Sequence, residues 1–169
     1  MSDPEILFVC WGNICRSPMA KVVADAYAAR EGLRVGFTSA GVSAEEAGNP
    51  MDARAVATLE AAGYHPGPHA AHRMTAAEIR SAAMVIGMQS IHLRKIKELV
   101  PDAHPLYLLT DFDPHAVPGS AIEDPWYGDD SDFQTTLHQI EAAMPEVIKR
   151  AREILRERRA ASRPAGMAT

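Results

Sequence analysis

Short unbroken apolar runs alternate along this chain with stretches in which apolar residues recur every three or four positions. The first run is EILFV, residues 5–9. A run this short and bulky predicts a strand covered on both faces. Gly12 and Asn13 break it, and from Ser17 the pattern turns helical through Met19, Val22, Val23 and Tyr27. Ser17 suits an N-cap, Pro18 the first helical position, and Gly32 the end. Residues 35–39 predict a second strand, and 52–62 a helix that Gly63 stops. Thr75 with Glu78 fits a capping box opening a short helix. AMVIGM at 83–88 predicts a third strand, 90–99 a helix with Ile91, Ile96 and Leu99 on its apolar side, and 106–109 a fourth strand. A loop of roughly twenty residues follows, long enough to suggest a functional role. Four prolines fall between 105 and 125. A long helix closes the chain, opened by Ser131 with Gln134. Its apolar stripe runs Phe133, Leu137, Ile140, Met144, Val147, Ala151 and Leu155, with Pro145 expected to kink it. The chain is basic from Arg156 and then small and polar, which predicts one domain over 1–159 and a flexible tail over 160–169.

Strands alternating with helices imply an α/β fold, a parallel sheet with helices on both faces. In such sheets ligands bind beyond the carboxyl ends of the strands, where residues 10–17 fall. The 169 residues, 47% hydrophobic, suit one core. The formal charge of -5 gives no overall basic field for nucleic acid or an anionic membrane, so any anion must be held locally. No stretch approaches the roughly 20 apolar residues of a membrane helix, and the first residues do not read as a secretory signal. The two cysteines, Cys10 and Cys15, are too close to staple a fold. A cytoplasmic setting with reduced thiols is expected.

The segment that carries chemistry is Cys10-Trp11-Gly12-Asn13-Ile14-Cys15-Arg16-Ser17, running from a strand end to a helix start. Successive N–H groups in such a turn converge on one anion, and the helix dipole adds favourable potential. Gly12 and Asn13 tolerate the backbone angles this requires. Arg16 brings a fork of donors suited to phosphate oxygens. The amides, the dipole and Arg16 favour the thiolate of Cys10, which is the nucleophilic form. Ser17 is placed to donate a hydrogen bond to that sulfur. No Gly-Lys-Ser/Thr follows, so this is not a nucleotide-binding Walker loop.

A phosphoryl group moving to sulfur leaves behind an oxyanion that needs a proton. Asp124, in Glu123-Asp124-Pro125-Trp126-Tyr127-Gly128, is the candidate donor. Pro125 stiffens the backbone after it, and Trp126 and Tyr127 are suited to wall a slot for an aromatic ring. An ordinary surface turn before a helix would also favour Asp-Pro.

VCWGNICRSPMA from Val9 and EDPWYGDDSDF from Glu123 closely resemble the low-molecular-weight protein tyrosine phosphatases, over about residues 5–157. The resemblance implies a three-layer α/β/α fold with a four-stranded parallel sheet. It implies Cys10 as nucleophile, Arg16 as phosphate binder and Asp124 as general acid and then base. Trp11, Gly12, Asn13, Ile14, Cys15, Ser17, Trp126 and Tyr127 would form the substrate-binding set. Asn13, with Ser17 and Ser39, matches a hydrogen-bond set that shapes the loop, and His69 a buried supporting histidine. No metal or other cofactor is implied. The partners implied are a phosphotyrosine protein or peptide, with inorganic phosphate or other oxyanions in the loop, on a monomer or weak dimer. Trp11, Glu45 and Gln89 depart from the family pattern, Gln89 standing where an aspartate usually pairs with the supporting histidine.

Arsenate reductases of the same fold relay a disulfide through downstream cysteines, and this chain has none after Cys15. A phosphate-binding module without turnover is the other rival, although nucleophile and acid are both present. His65, His69 and His72 have spacing that permits metal ligation, but their Pro/Gly-rich setting favours loop histidines bonded to backbone. Asp129, Asp130 and Asp132 lack EF-hand spacing and suit a helix N-terminus. Cys15 is either packing or, as the resemblance suggests, a partner for a reversible protective disulfide with Cys10.

Overall fold

The computed structural model describes residues 2–166. In chain order the elements are β1 (Glu5–Cys10), α1 (Arg16–Arg30), β2 (Gly36–Gly41), α2 (Ala53–Ala61), α3 (Ala76–Ser81), β3 (Met84–Gly87), α4 (Ser90–Leu99), β4 (Leu106–Leu108) and α5 (Asp130–Ala161). Two single 3-10 turns, Leu109–Phe112 and Pro125–Tyr127, lie between β4 and α5. The four strands form one sheet in the order β2-β1-β3-β4, every pairing parallel.

β1 is central, and its side chains alternate between two cores as the two-residue period of a strand requires. Ile6, Phe8 and Cys10 join the larger core with Met19, Val23, Leu137, Ile140 and Met144 of α1 and α5. Leu7 and Val9 join the smaller one with Ile79 and Ile96 of α3 and α4. Helices on both faces explain why the run of apolar residues is unbroken. All seven residues of the predicted stripe on α5 are buried. At roughly 1.5–3 kcal/mol for each fully buried large apolar side chain, that stripe fixes the last helix on the sheet. The helix runs unbroken through Pro145.

Several helix starts differ from expectation, each for a local reason. α1 begins at Arg16 with Cys15 in the cap position, so Pro18 sits in the third helical place rather than the first. Ser17 does not cap; its hydroxyl is used inside the molecule instead. α5 is capped by Asp129 and not Ser131, because Asp129 and Asp132 close a reciprocal box and Asp129 also accepts from the Ser131 N–H at 2.9 Å. The long loop is tied down more than its composition suggests. Leu109 and Ile122 are buried, Ile122 N–H donates to the Met88 carbonyl at 2.9 Å, and Thr110 Oγ1 donates to the Ser120 carbonyl at 2.7 Å. α5 extends to Ala161, into the expected tail, whose residues 167–169 lie outside the described residues. No helix among the described residues is long and apolar enough to cross a membrane.

The strand order places β1 and β3 side by side with their connections leaving in opposite directions along the sheet, the arrangement that opens a crevice at the carboxyl ends. The segment after β1 and the Met88-Gln89 pair after β3 both lie at this end.

Candidate active site

Between β1 and α1 the backbone curls into a loop held from outside by its carbonyls. Cys10 and Trp11 oxygens accept from Val42 and Ser43 N–H at 2.9 and 3.0 Å. The Asn13 oxygen accepts from His69 Nε2 at 2.6 Å, and the Ile14 oxygen from Asp52 N–H at 2.9 Å. A trans peptide sets each carbonyl opposite the next N–H. The N–H groups of Trp11, Gly12, Ile14 and Cys15 are therefore directed the other way, into the concavity. Cys15 forms no side-chain cap at the start of α1, which leaves donors of that helix N-terminus available to an anion. This is an anion cradle made of backbone.

Asn13 is the keystone of that curl. It is fully buried with φ of 60°, a conformation that Asn tolerates better than other side chains. Its Nδ2 donates to Ser17 Oγ at 2.9 Å and to Ser39 Oγ at 3.0 Å, and its Oδ1 accepts from His72 N–H at 3.1 Å. Ser17 Oγ in turn lies 3.0 Å from Cys10 Sγ. Asn13 and Ser17, expected in the substrate-binding set, thus place their side chains in the frame of the loop; neither lines the cleft. The end of β2 must come close for this network to form. A Cβ on Gly41 would stand 2.8 Å from the Trp11 carbonyl oxygen, so only glycine fits there.

One cleft is lined by Cys10, Trp11, Gly12, Ile14, Cys15, Arg16, Glu45, Glu46, Asp124, Trp126 and Tyr127. Arg16 is 2% exposed. Its Nη2 pairs with Asp124 Oδ2 at 3.3 Å, bringing residues 108 positions apart in sequence to one point. Asp124 also accepts from the Trp126 N–H at 3.1 Å through Oδ1, as cap of the second 3-10 turn. Trp11 and Trp126 are partly exposed on the rim, and Tyr127 is 84% exposed.

Three residues have places in the site that were not read from the sequence. The first is Arg54, which grips Asp52 through Nε and Nη2 at 3.1 and 2.9 Å and donates to the Trp126 and Gly128 carbonyls at 3.3 Å each. Its guanidinium lies 4.7 Å over the Phe133 ring. The hydrogen bonds from Arg54 hold the Asp52 carboxyl below its usual range. Asp52 also meets the Ile14 carbonyl, so Arg54 ties the Asp124 loop to the anion cradle. Asp52-x-Arg54 at a helix start was the available signal. The second is Gln89, whose Oε1 accepts from Arg16 Nη1 at 2.6 Å. Gln89 therefore serves the arginine and not the supporting histidine. The third is Glu46 on the cleft wall beside Glu45.

His69 is half-buried rather than buried. Its Nε2 must carry the proton, because its partner is a carbonyl, and desolvation lowers its pKa below the ordinary value. His72 Nε2 contacts Glu78 Oε1 at 2.5 Å. Nε2 of His69 and Nε2 of His72 are thus each engaged within the protein, with the Asn13 carbonyl and Glu78. Cys10 and Cys15 are free thiols, both buried. Burial foremost, then the Asp52 and Asp124 charges, pushes the Cys15 thiol far up, so Cys15 stays protonated.

The chain matches the family described as low molecular weight phosphotyrosine protein phosphatase over residues 5–160. Low molecular weight protein-tyrosine phosphatase A of Mycobacterium tuberculosis is 39% identical over 152 residues, covering 86% of this chain and 90% of that one. The crystal structure of a protein tyrosine phosphatase from Entamoeba histolytica superposes with a TM-score of 0.84 over 89% of this chain and 98% of its own; at 22% identity this speaks for the fold alone. A structure of the arginine phosphatase YwlE, a Bacillus subtilis protein, gives a TM-score of 0.77 at 27% identity, covering 92% of this chain and 98% of that one.

Proposed function

Because the chain belongs to the low molecular weight phosphotyrosine protein phosphatase family, we propose that it hydrolyses phosphotyrosine in proteins through a phosphocysteine on Cys10. The observation that carries this reading is the convergence of Cys10, Arg16 and Asp124 on one cleft. They come from a strand end, a helix start and a distant loop.

The substrate's phosphoryl oxygens sit among the inward N–H groups and the Arg16 guanidinium, which stabilise the charge of the trigonal bipyramid. Cys10 Sγ attacks phosphorus in line, and the P–O bond to the phenolic oxygen breaks. Asp124 gives its proton to that oxygen. Asp124, now a carboxylate, takes a proton from water; the water oxygen bonds to phosphorus, and the S–P bond breaks to return the thiolate. Ser17 Oγ, 3.0 Å away, stabilises the departing sulfur. The step needs no metal or redox partner to balance. Trp11, Trp126 and Tyr127 suit an aromatic leaving group at the mouth, and the two free thiols suit the cytoplasm. A disulfide relay to arsenate has no third cysteine to run through.

The test is phosphate release without added metal by the wild type and Cys10→Ser, offered phosphotyrosine, phosphoserine and phosphoarginine peptides in parallel. The reading expects turnover of phosphotyrosine first and none by the variant. Preference for phosphoarginine would move the substrate class while keeping the chemistry. A folded, reduced wild type inert to all three would refute the enzyme.

A further inference from the structure

We propose that Gln89 is the positioning residue that aims Arg16 at the transferring phosphoryl group, a role that rests on the phosphatase reading above. Arg16 is almost wholly withdrawn from water, so protein must satisfy its donors and set its orientation. Nη1 is held between two acceptors, Gln89 Oε1 at 2.6 Å and the Ile122 carbonyl at 2.9 Å. A guanidinium is planar, and pinning one nitrogen at two points fixes the plane in which Nη2 reaches the cleft. Nη2 there lies 3.3 Å from Asp124.

Gln89 is unusual at its place in the fold. It occupies the cap position of α4, where Ser, Thr, Asp or Asn would be favoured, and its side chain makes no cap bond. The cap is supplied from inside the helix: His92 Nδ1 accepts from the N–H groups of Met88 and Gln89 at 3.2 and 3.1 Å. This frees the Gln89 amide for Arg16 and anchors its backbone. The Met88 carbonyl, accepting from Ile122 N–H at 2.9 Å, ties the second acceptor of Arg16 to the same strand end. A local rule is broken at a functional site with a visible return.

The amide is also neutral. It orients the guanidinium without sharing its charge, so among the described residues Asp124 is the one carboxylate paired with Arg16. A bound oxyanion meets a cation not already neutralised from behind.

The experiment compares wild type, Gln89→Met and Gln89→Glu with p-nitrophenyl phosphate. It measures kcat, KM, competitive inhibition by orthophosphate and the urea unfolding midpoint. Methionine keeps the length and removes the acceptor. The proposal expects kcat/KM to fall about 10- to 100-fold and phosphate inhibition to weaken with it, at an unfolding midpoint near wild type. Gln89→Glu keeps an acceptor at the same reach and adds a charge behind Arg16; phosphate inhibition should weaken about tenfold. Gln89→Met within about twofold of wild type in both kcat/KM and phosphate inhibition overturns the proposal. So does lost activity with a lowered midpoint and unchanged phosphate inhibition, the sign of a role in folding only. If Gln89→Met does not fold, Gln89→Glu decides, and unchanged phosphate inhibition there overturns it. A wild type that neither turns over the ester nor is inhibited by phosphate would refute the phosphatase reading itself, a result distinct from failure of either variant.

Discussion

Replacing Asn13 by alanine removes three side-chain hydrogen bonds at once: those to Ser17 Oγ and Ser39 Oγ, and the one accepted from His72 N–H. All lie in or near the interior, so the partners cannot all turn to water. At about 1 kcal/mol net for each bond, the loss is about 3 kcal/mol. The backbone adds a separate cost. At φ of 60° alanine pays roughly 1 kcal/mol that asparagine largely avoids. Asn13→Ala should therefore destabilise by about 4 kcal/mol, a large share of a typical domain's 5–15 kcal/mol. Asn13→Gly loses the same bonds but accepts the conformation, and should recover about 1 kcal/mol relative to alanine. Urea unfolding of the three proteins under reducing conditions measures both terms. Activity should fall in both variants, because Ser17 Oγ loses the donor that orients it toward Cys10. A loss below about 1 kcal/mol for alanine, with glycine no better, would refute the reasoning that Asn13 locks the curl.

Asp124→Asn should lower kcat/KM most for esters with poor leaving groups, by about 100-fold or more, and least for p-nitrophenolate. A rate that drops equally for all leaving groups would contradict the acid role. Arg54→Ala should reproduce a weaker form of that leaving-group dependence, since Trp126 and Gly128 lose their tether, and Arg54→Lys should not rescue it because the planar fork is what spans both carbonyls. A uniform loss, or full rescue by lysine, would count against the clamp. Burial, and then the Arg16 charge, pushes the His92 pKa down to about 3 from its usual 6.5. Between these values the unfolded chain binds the proton and the folded one does not, so stability falls as pH falls, by up to about 1.4 kcal/mol per pH unit. Unfolding curves from pH 6.5 to 5 should show this slope and show less of it in His92→Asn; equal slopes would contradict the assignment.

β1 and the α5 stripe were legible because burial on both faces of a central strand and on one face of a helix writes itself into periodicity. The cradle was legible because Cys10, Arg16 and the glycine between them are close in sequence. Asp124 was a candidate by its neighbours, but its distance from Arg16 is a property of the sheet order and not of any local pattern. Ser17 misled as a cap for a related reason. A serine before a helix has the same local signature whether its hydroxyl serves the backbone or a sulfur seven residues back. The roles of Gln89 and Arg54 were not legible because each acts through long-range contacts, spanning 73 residues to Arg16 and 72 or more to the acid loop. Gln89 showed in the sequence as a departure from the family pattern, and Asp52-x-Arg54 reads as ordinary helix-start chemistry.

The central claim is a covalent phosphoryl group on Cys10. Mixing the wild type with a phosphotyrosine peptide, quenching in denaturant at alkaline pH during turnover and sequencing the Cys10 peptide by mass spectrometry without acidification tests it directly. The account predicts one phosphoryl group on the Cys10 sulfur, absent from Cys15 and from the Cys10→Ser protein, which should also release no phosphate. Turnover that continues in Cys10→Ser, or a phosphoryl group trapped on another residue, would contradict it.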